Sequence, residues 1–249
     1  MNCQDQIYSE EYIDFIGNRS LIESKYTLDC KQPLGAMFAS LYLKLSDGYE
    51  DGTVYGYYNI PKLFGLQDTG SMESSGILQV RENPYLKLDG SGVLIGFVDT
   101  GIDYAGSIFL KQDGTTRVTA IWDQTIPAGS PIRLPAQPEL PETLENITRT
   151  PEGFLYGSEF THEQLNAAVK MADAYEGISS RDENGHGTFL ASIAAGNELP
   201  DGSFTGAAPK ADIAMVKLKP AKNRLRAYYQ IKEDAVAYQE NDIMAGVLF

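Results

Sequence analysis

Apolar positions alternate with polar ones in two short N-terminal stretches, Tyr12–Gly17 and Phe38–Leu45, and this period of two predicts strands. Between them, Leu21–Tyr26 has the spacing of a short helix, and Asp47-Gly48 and Asp51-Gly52 mark turns after the second strand. A small α+β unit over residues 1 to about 70 follows from this pattern. A tract of small and polar residues, 67–76, separates it from what comes next.

Val93–Val98 is a continuous apolar run, the pattern of a strand buried on both faces in the middle of a parallel sheet. Regularity is then lost. Pro127, Pro131, Pro135, Pro138, Pro141 and Pro151 predict an irregular insertion over Thr125–Gly153, within a loosely patterned region of about 125–180. Thr161 and Gln164 form the sequence signature of a reciprocal cap on a helix running to Met171. Thr188–Ala195 predicts a small-residue helix ended by Gly196-Asn197, Thr205–Pro209 a tight loop, and Ala211–Leu218 a second apolar strand. Helices are expected over Ile231–Glu240 and from Ile243 onward. Strand and helix in alternation predict an α/β fold with a doubly wound parallel sheet over 71–249.

Charge and cysteine content narrow the function classes. Twenty basic against 34 acidic residues leave the chain at -14, a surface that repels nucleic acid and anionic membranes. No apolar run approaches the roughly 18 residues of a membrane span. Residues 1–10 are polar and acidic and lack the features of a signal peptide, so the chain is not expected to be marked for general secretion. On that ground Cys3 and Cys30 are expected to be reduced thiols.

Two motifs carry chemistry. Asp99 follows the first buried strand in Val98-Asp99-Thr100-Gly101-Ile102-Asp103, and in open α/β sheets functional groups collect at the carboxyl ends of strands. Taken alone it also fits a turn. His186 lies in Arg181-Asp182-Glu183-Asn184-Gly185-His186-Gly187-Thr188 at the start of a helix. Gly185 and Gly187 let another group approach the imidazole, and the positive helix end favours a neutral base. Taken alone this fits a capping loop. Asp182 is a candidate brace of the histidine loop or, with Glu183, solvated surface; Glu10-Glu11 reads as solvated surface too. His162 is expected to be solvated.

Together the two motifs, followed by Gly206-Ala207-Ala208-Pro209 and an apolar strand, resemble the subtilases from about Gly90 to Lys219, except across the proline-rich insertion. The resemblance implies a subtilisin-type sheet and a serine endopeptidase whose Asp99 orients His186, with Thr100, Gly101, Asp103, Asp182, Gly185, Gly187 and Thr188 supporting the two motifs. Segments 93–104, 121–125, 152–157, 180–189 and 216–219 are similar to the Csp-type subtilases of clostridia-like spore formers. That likeness implies that residues 1 to about 70 are a propeptide that acts as folding template and inhibitor, with Ile60–Leu66 leading toward a cut between about 66 and 76; it also implies a cytoplasmic or spore-associated location. It further implies protein or peptide substrates and no required cofactor; structural calcium is compatible with the family but has no assignable ligands here, and the histidines lack zinc-site spacing.

The nucleophile is not found. Ser192 falls inside the helix that His186 opens and Ser203 in an Asp-Gly-Ser turn, neither the setting of a subtilase serine. The expectation is a fragment that supplies aspartate and histidine only and is inactive as it stands. Two other readings stand beside it: an inactive subtilase-like partner or sensor, and a phosphate-binding loop of the actin and sugar-kinase kind built on Val98-Asp99-Thr100-Gly101.

Overall fold

The computed structural model describes residues 2–27, 29–44, 57–64, 85, 88–134, 147–201 and 204–249. The turns at 47–52, the tract 67–76, Ser203 and the prolines at 135, 138 and 141 lie outside them. The chain forms two compact units, one of residues 1–66, 150–157 and 218–249, the other of 67–149 and 158–217.

In the first unit, β1 (Tyr12–Asn18) and β3 (Phe38–Lys44) pair antiparallel, and β2 (Cys30–Leu34) adds on the far side of β3. The expected strands and helix form where the patterning puts them; α2 spans Arg19–Lys25, with Asn18 Oδ1 accepting from the Leu21 amide. Their apolar side closes around Ile13, Phe15, Ile22, Ala39 and Leu41. β2 escaped the pattern reading because Pro33 interrupts it and only five residues carry it.

Helix α1 (Cys3–Tyr8) packs on all three strands, and this overturns the expectation of free thiols: Cys3 and Cys30 form a disulfide, with Cα atoms 5.3 Å apart. The separation is ordinary for a disulfide. It exists only because α1 folds back onto the start of β2, a proximity that two cysteines 27 positions apart do not announce.

The C-terminal part of this unit departs from the pattern reading as well. In place of a helix over 231–240 there are α6 (Asn223–Tyr228), a turn, and a two-residue strand β9 (Tyr238–Gln239) paired antiparallel to β4 (Leu63–Phe64). Residues 232–236 are exposed, so a helix there would have no face to bury, whereas extended backbone at 238–239 delivers Gln239 into the interior. Helix α7 spans Glu240–Leu248.

In the second unit, β5 (Leu94–Asp99), β8 (Asp212–Lys217) and β6 (Val118–Asp123) are parallel, and β7 (Ser158–Thr161) pairs antiparallel with β6. Helix α3 (His162–Val169) has the expected reciprocal cap between Thr161 and Gln164, followed by the short α4 (Ala174–Gly177). Helix α5 (His186–Ala195) packs on β5 and β8. Tyr104, Phe109, Ile121, Phe160, Leu165, Ile213 and Met215 are among the core. The architecture is the expected α/β one, as an incomplete parallel sheet.

One strand differs from expectation. β5 is not buried on both faces: it is the sheet's edge among the described residues, and Leu94 is 60% exposed. Hydrogen-bonded on one side only, it is covered at its carboxyl end, by α5 and the loops around Asp99, and open at its start.

Candidate active site

The carboxyl ends of the three parallel strands carry Asp99, Lys217 and Asp123, which stand in register side by side. Asp99 is buried and ends β5. Its Oδ1 accepts the Thr100 amide at 2.7 Å and faces His186 Nδ1 at 2.9 Å. His186 is the first residue of α5, entered through Gly185, whose left-handed φ of 87° turns the chain into the helix. The two residues that the motifs singled out, 87 positions apart, are therefore in hydrogen-bond contact.

Glycine is required at two places for this contact. A Cβ on Gly187 would lie 2.2 Å from the Gly101 carbonyl oxygen and 3.2 Å from the Asp99 Cβ, so the first turn of α5 rests directly on the Asp99 loop. Gly101 has φ of 121°, and a Cβ there would meet Arg181 O and Lys217 Cδ at 3.2 Å.

Asp182 connects the two motifs. Oδ1 accepts from Thr100 Oγ1 at 2.7 Å and from the Gly185 amide at 2.9 Å; Oδ2 accepts from the Thr188 amide at 2.8 Å and Thr188 Oγ1 at 2.7 Å. Thr100 Oγ1 in turn accepts the Gly187 amide, and Thr188 Oγ1 accepts the Asp103 amide at 3.0 Å. Thr100, Asp103, Asp182, Gly185, Gly187 and Thr188 thus form one hydrogen-bonded frame around the pair. Asp103 also receives a hydrogen bond from the Tyr175 hydroxyl.

Burial raises the Asp182 pKa, but the hydrogen bonds from Thr188, Thr100 and the Gly185 amide outweigh it and hold the carboxyl below its ordinary value. A depressed acid stabilises the fold above its unfolded pKa, about 3.9 for aspartate, and this contribution is lost as pH falls through the folded value. Asp182→Asn should therefore lower the melting temperature at pH 6–7. The gap to the parent should narrow steadily below about pH 4, read by calorimetry across the acid range. A gap independent of pH would show that the carboxylate charge is not what the frame uses.

Asp123, Ser180 and Lys217, outside the two motifs, complete the floor of the site together with Arg181 and Glu183 of the histidine motif. Asp123 Oδ2 accepts from Ser180 Oγ at 2.7 Å; Lys217 Nζ donates to Arg181 O at 2.6 Å and to Glu183 Oε2 at 2.7 Å, and lies 3.8 Å from Asp123 Oδ2. A lysine and an aspartate at the ends of apolar strands were the available signal, since buried charge requires a partner. Glu183 is exposed at 70% of its side chain yet ion-paired. His162 is not merely solvated, because its Nδ1 lies 3.1 Å from the Val118 carbonyl oxygen. Ser192 donates to Thr188 O at 2.7 Å within α5, the back-bonding geometry of a helical serine.

Among the described residues no group of three or more His, Cys, Asp or Glu could hold a metal ion, and no helix is long and apolar enough to cross a membrane.

The profile of the subtilase family, peptidase S8, matches residues 90–245. The subtilisin-like protease SBT3.8 of Arabidopsis thaliana is 31% identical over 144 residues, which is 51% of this chain and 16% of that protein. SBT2.2 of the same plant is 31% identical over 146 residues, 55% of this chain and 16% of that protein. The chain thus spans about one sixth of the length of these relatives. A solved structure, the CspB protease of Clostridium perfringens, matches at 30% identity with a TM-score of 0.46, over 70% of this chain and 28% of that one.

Proposed function

Because this chain belongs to the subtilase family, we propose that it supplies the aspartate and histidine of a serine endopeptidase triad, with the nucleophilic serine contributed from outside residues 1–249. The observation that carries this reading is the 2.9 Å contact between His186 Nδ1 and Asp99 Oδ1 at the carboxyl ends of the parallel strands. The family match leaves the phosphate-loop reading without support.

The chemistry follows from that contact. With Nδ1–H donated to Asp99, the lone pair of the neutral imidazole resides on Nε2. His186 then removes the proton of the serine hydroxyl as it attacks the scissile carbonyl, and returns it to the leaving amine. Asp99 stays ionised, holds the ring in one tautomer and stabilises the transient imidazolium. Asp182, Thr100 and Thr188 fix the two loops so that no reorganisation is needed at each turnover. Ser192, back-bonded inside α5, takes no part, and residues 1–249 alone hydrolyse no peptide. The likeness to Csp-type sequences supports reading residues 1 to about 70 as a propeptide.

The test is expression of the full reading frame beside its His186→Ala variant, with the N-terminal fragment followed by mass spectrometry. The parent releases a piece ending between about residues 66 and 76, and the variant loses this activity by a factor on the order of 10⁶. A parent that stays uncut would transfer the assignment to an inactive, partner-type subtilase that keeps its N-terminal unit.

A further inference from the structure

We propose that Lys217 is a positioning residue for the Asp99–His186 pair, acting through the loop 180–183; the proposal rests on the reading of that pair as catalytic. Lys217 ends β8, directly beside Asp99 in the sheet register, and is 7% exposed. Its ammonium does not point into solvent. It is spent on Arg181 O and on Glu183 Oε2, the residues that flank Asp182.

The geometry makes the loop a shared product of three strand ends. Ser180 is held by Asp123 at the end of β6, Arg181 and Glu183 by Lys217 at the end of β8, and Asp182 by Thr100 just after β5. Asp182 is also the residue that receives Gly185 and Thr188, and so sets where α5 begins. Lys217 thus determines the position of Asp182, and Asp182 determines the position of the His186 ring over Asp99. The stem takes part as well, since Lys217 Cδ would be 3.2 Å from a Cβ on Gly101.

Stability gives little reason for an ammonium here. A buried ion pair contributes about as much as apolar packing of the same volume, and often less. Lys217→Met alone would strand the buried Asp123 carboxylate 3.8 Å away, so it is read in an Asp123→Asn background, which removes that charge and keeps an acceptor for Ser180 Oγ. The stem and its packing stay, and positioning is thereby separated from bulk stability.

The measurement is an NMR titration of the two imidazoles, His162 and His186, in this chain. The quantity read is the drop in the His186 midpoint on Asp99→Asn, in the parent and in each variant background. In the parent the drop should be about 1–3 pH units. In Lys217→Met it should fall to less than half the value in Asp123→Asn alone, and Lys217→Arg should restore part of it. An undiminished drop in Lys217→Met overturns the role of Lys217 and leaves the pair intact. No drop on Asp99→Asn in the parent overturns the catalytic pair itself. If Lys217→Met does not fold, Glu183→Lys sets a like charge against Lys217 at an exposed position. The drop then shrinks if Lys217 positions the loop, and keeps its parent size if it does not.

Discussion

Asp14→Ala should destabilise the first unit by about 3–5 kcal/mol, the cost of leaving a buried cation without its counter-charge. Asp14 is in the centre of β1 and fully buried. It accepts the Lys222 ammonium on Oδ1, and the Gln239 and Asn241 amides on Oδ2 at 2.7 and 3.1 Å. Gln239 Oε1 accepts the Lys222 backbone amide at 2.9 Å, so one carboxylate orders the start of α6, β9 and the first turn of α7. Beside it, Lys219 pairs with Asp242 at 2.7 Å, and the Tyr156 hydroxyl donates to the same carboxylate at 2.9 Å. Alanine at position 14 removes the acceptor shared by Lys222, Gln239 and Asn241, leaving Lys222 the Tyr12 carbonyl and Gln239 the Asn241 Oδ1, each at 3.2 Å, but no counter-charge from position 14. Hydrogen exchange should report it as a loss of protection of about 10²- to 10⁴-fold in peptides covering 12–18, 38–44 and 238–248. The double variant Asp14→Asn with Lys222→Met keeps an acceptor for the two amides and removes the orphaned charge, so most of the protection should return. A loss below tenfold in Asp14→Ala would mean that water reaches the cluster.

Gly187→Ala should disable the site at least 100-fold, the penalty associated with misplacing a catalytic group by about 1 Å. The new methyl group would be 2.2 Å from Gly101 O, a backbone atom that cannot rotate away. Relief requires α5 to withdraw from the Asp99 loop. That movement breaks the 2.8 Å bond from the Gly187 amide to Thr100 Oγ1 and stretches the contact between His186 and Asp99. Self-processing of the full reading frame is the readout. Gly185→Ala is the control: its Cβ meets open space, and its φ of 87° costs only about 1–2 kcal/mol of backbone strain. That variant should lose stability but process at a rate within a few-fold of the parent. Equal processing by both glycine variants would contradict the close packing of α5 on the loop.

The sequence by itself determined the elements whose cause is local. Alternation placed β1 and β3, the Thr161 and Gln164 pair placed the start of α3, and small residues after His186 marked α5, because caps, period and propensity act within a few residues. Asp99, His186 and the frame around them were legible for a related reason: in Asp-Thr-Gly and Gly-His-Gly-Thr, Gly101 and Gly187 record a close approach, whereas Gly185, expected to open space beside the imidazole, instead supplies the left-handed turn into α5 and has nothing near its missing Cβ. The tertiary structure decided what depends on distant partners. The Cys3–Cys30 disulfide exists because α1 returns to β2. Gln239 is in a strand rather than a helix, in a place where Asp14 draws its amide into the interior. β5 is open at its start because pairing on one side cannot cover it, whatever its apolar content. Lys217 is the clearest instance, since a lone lysine in an apolar strand says that a partner must exist, and only the fold brings Arg181 and Glu183 to it across more than 30 positions.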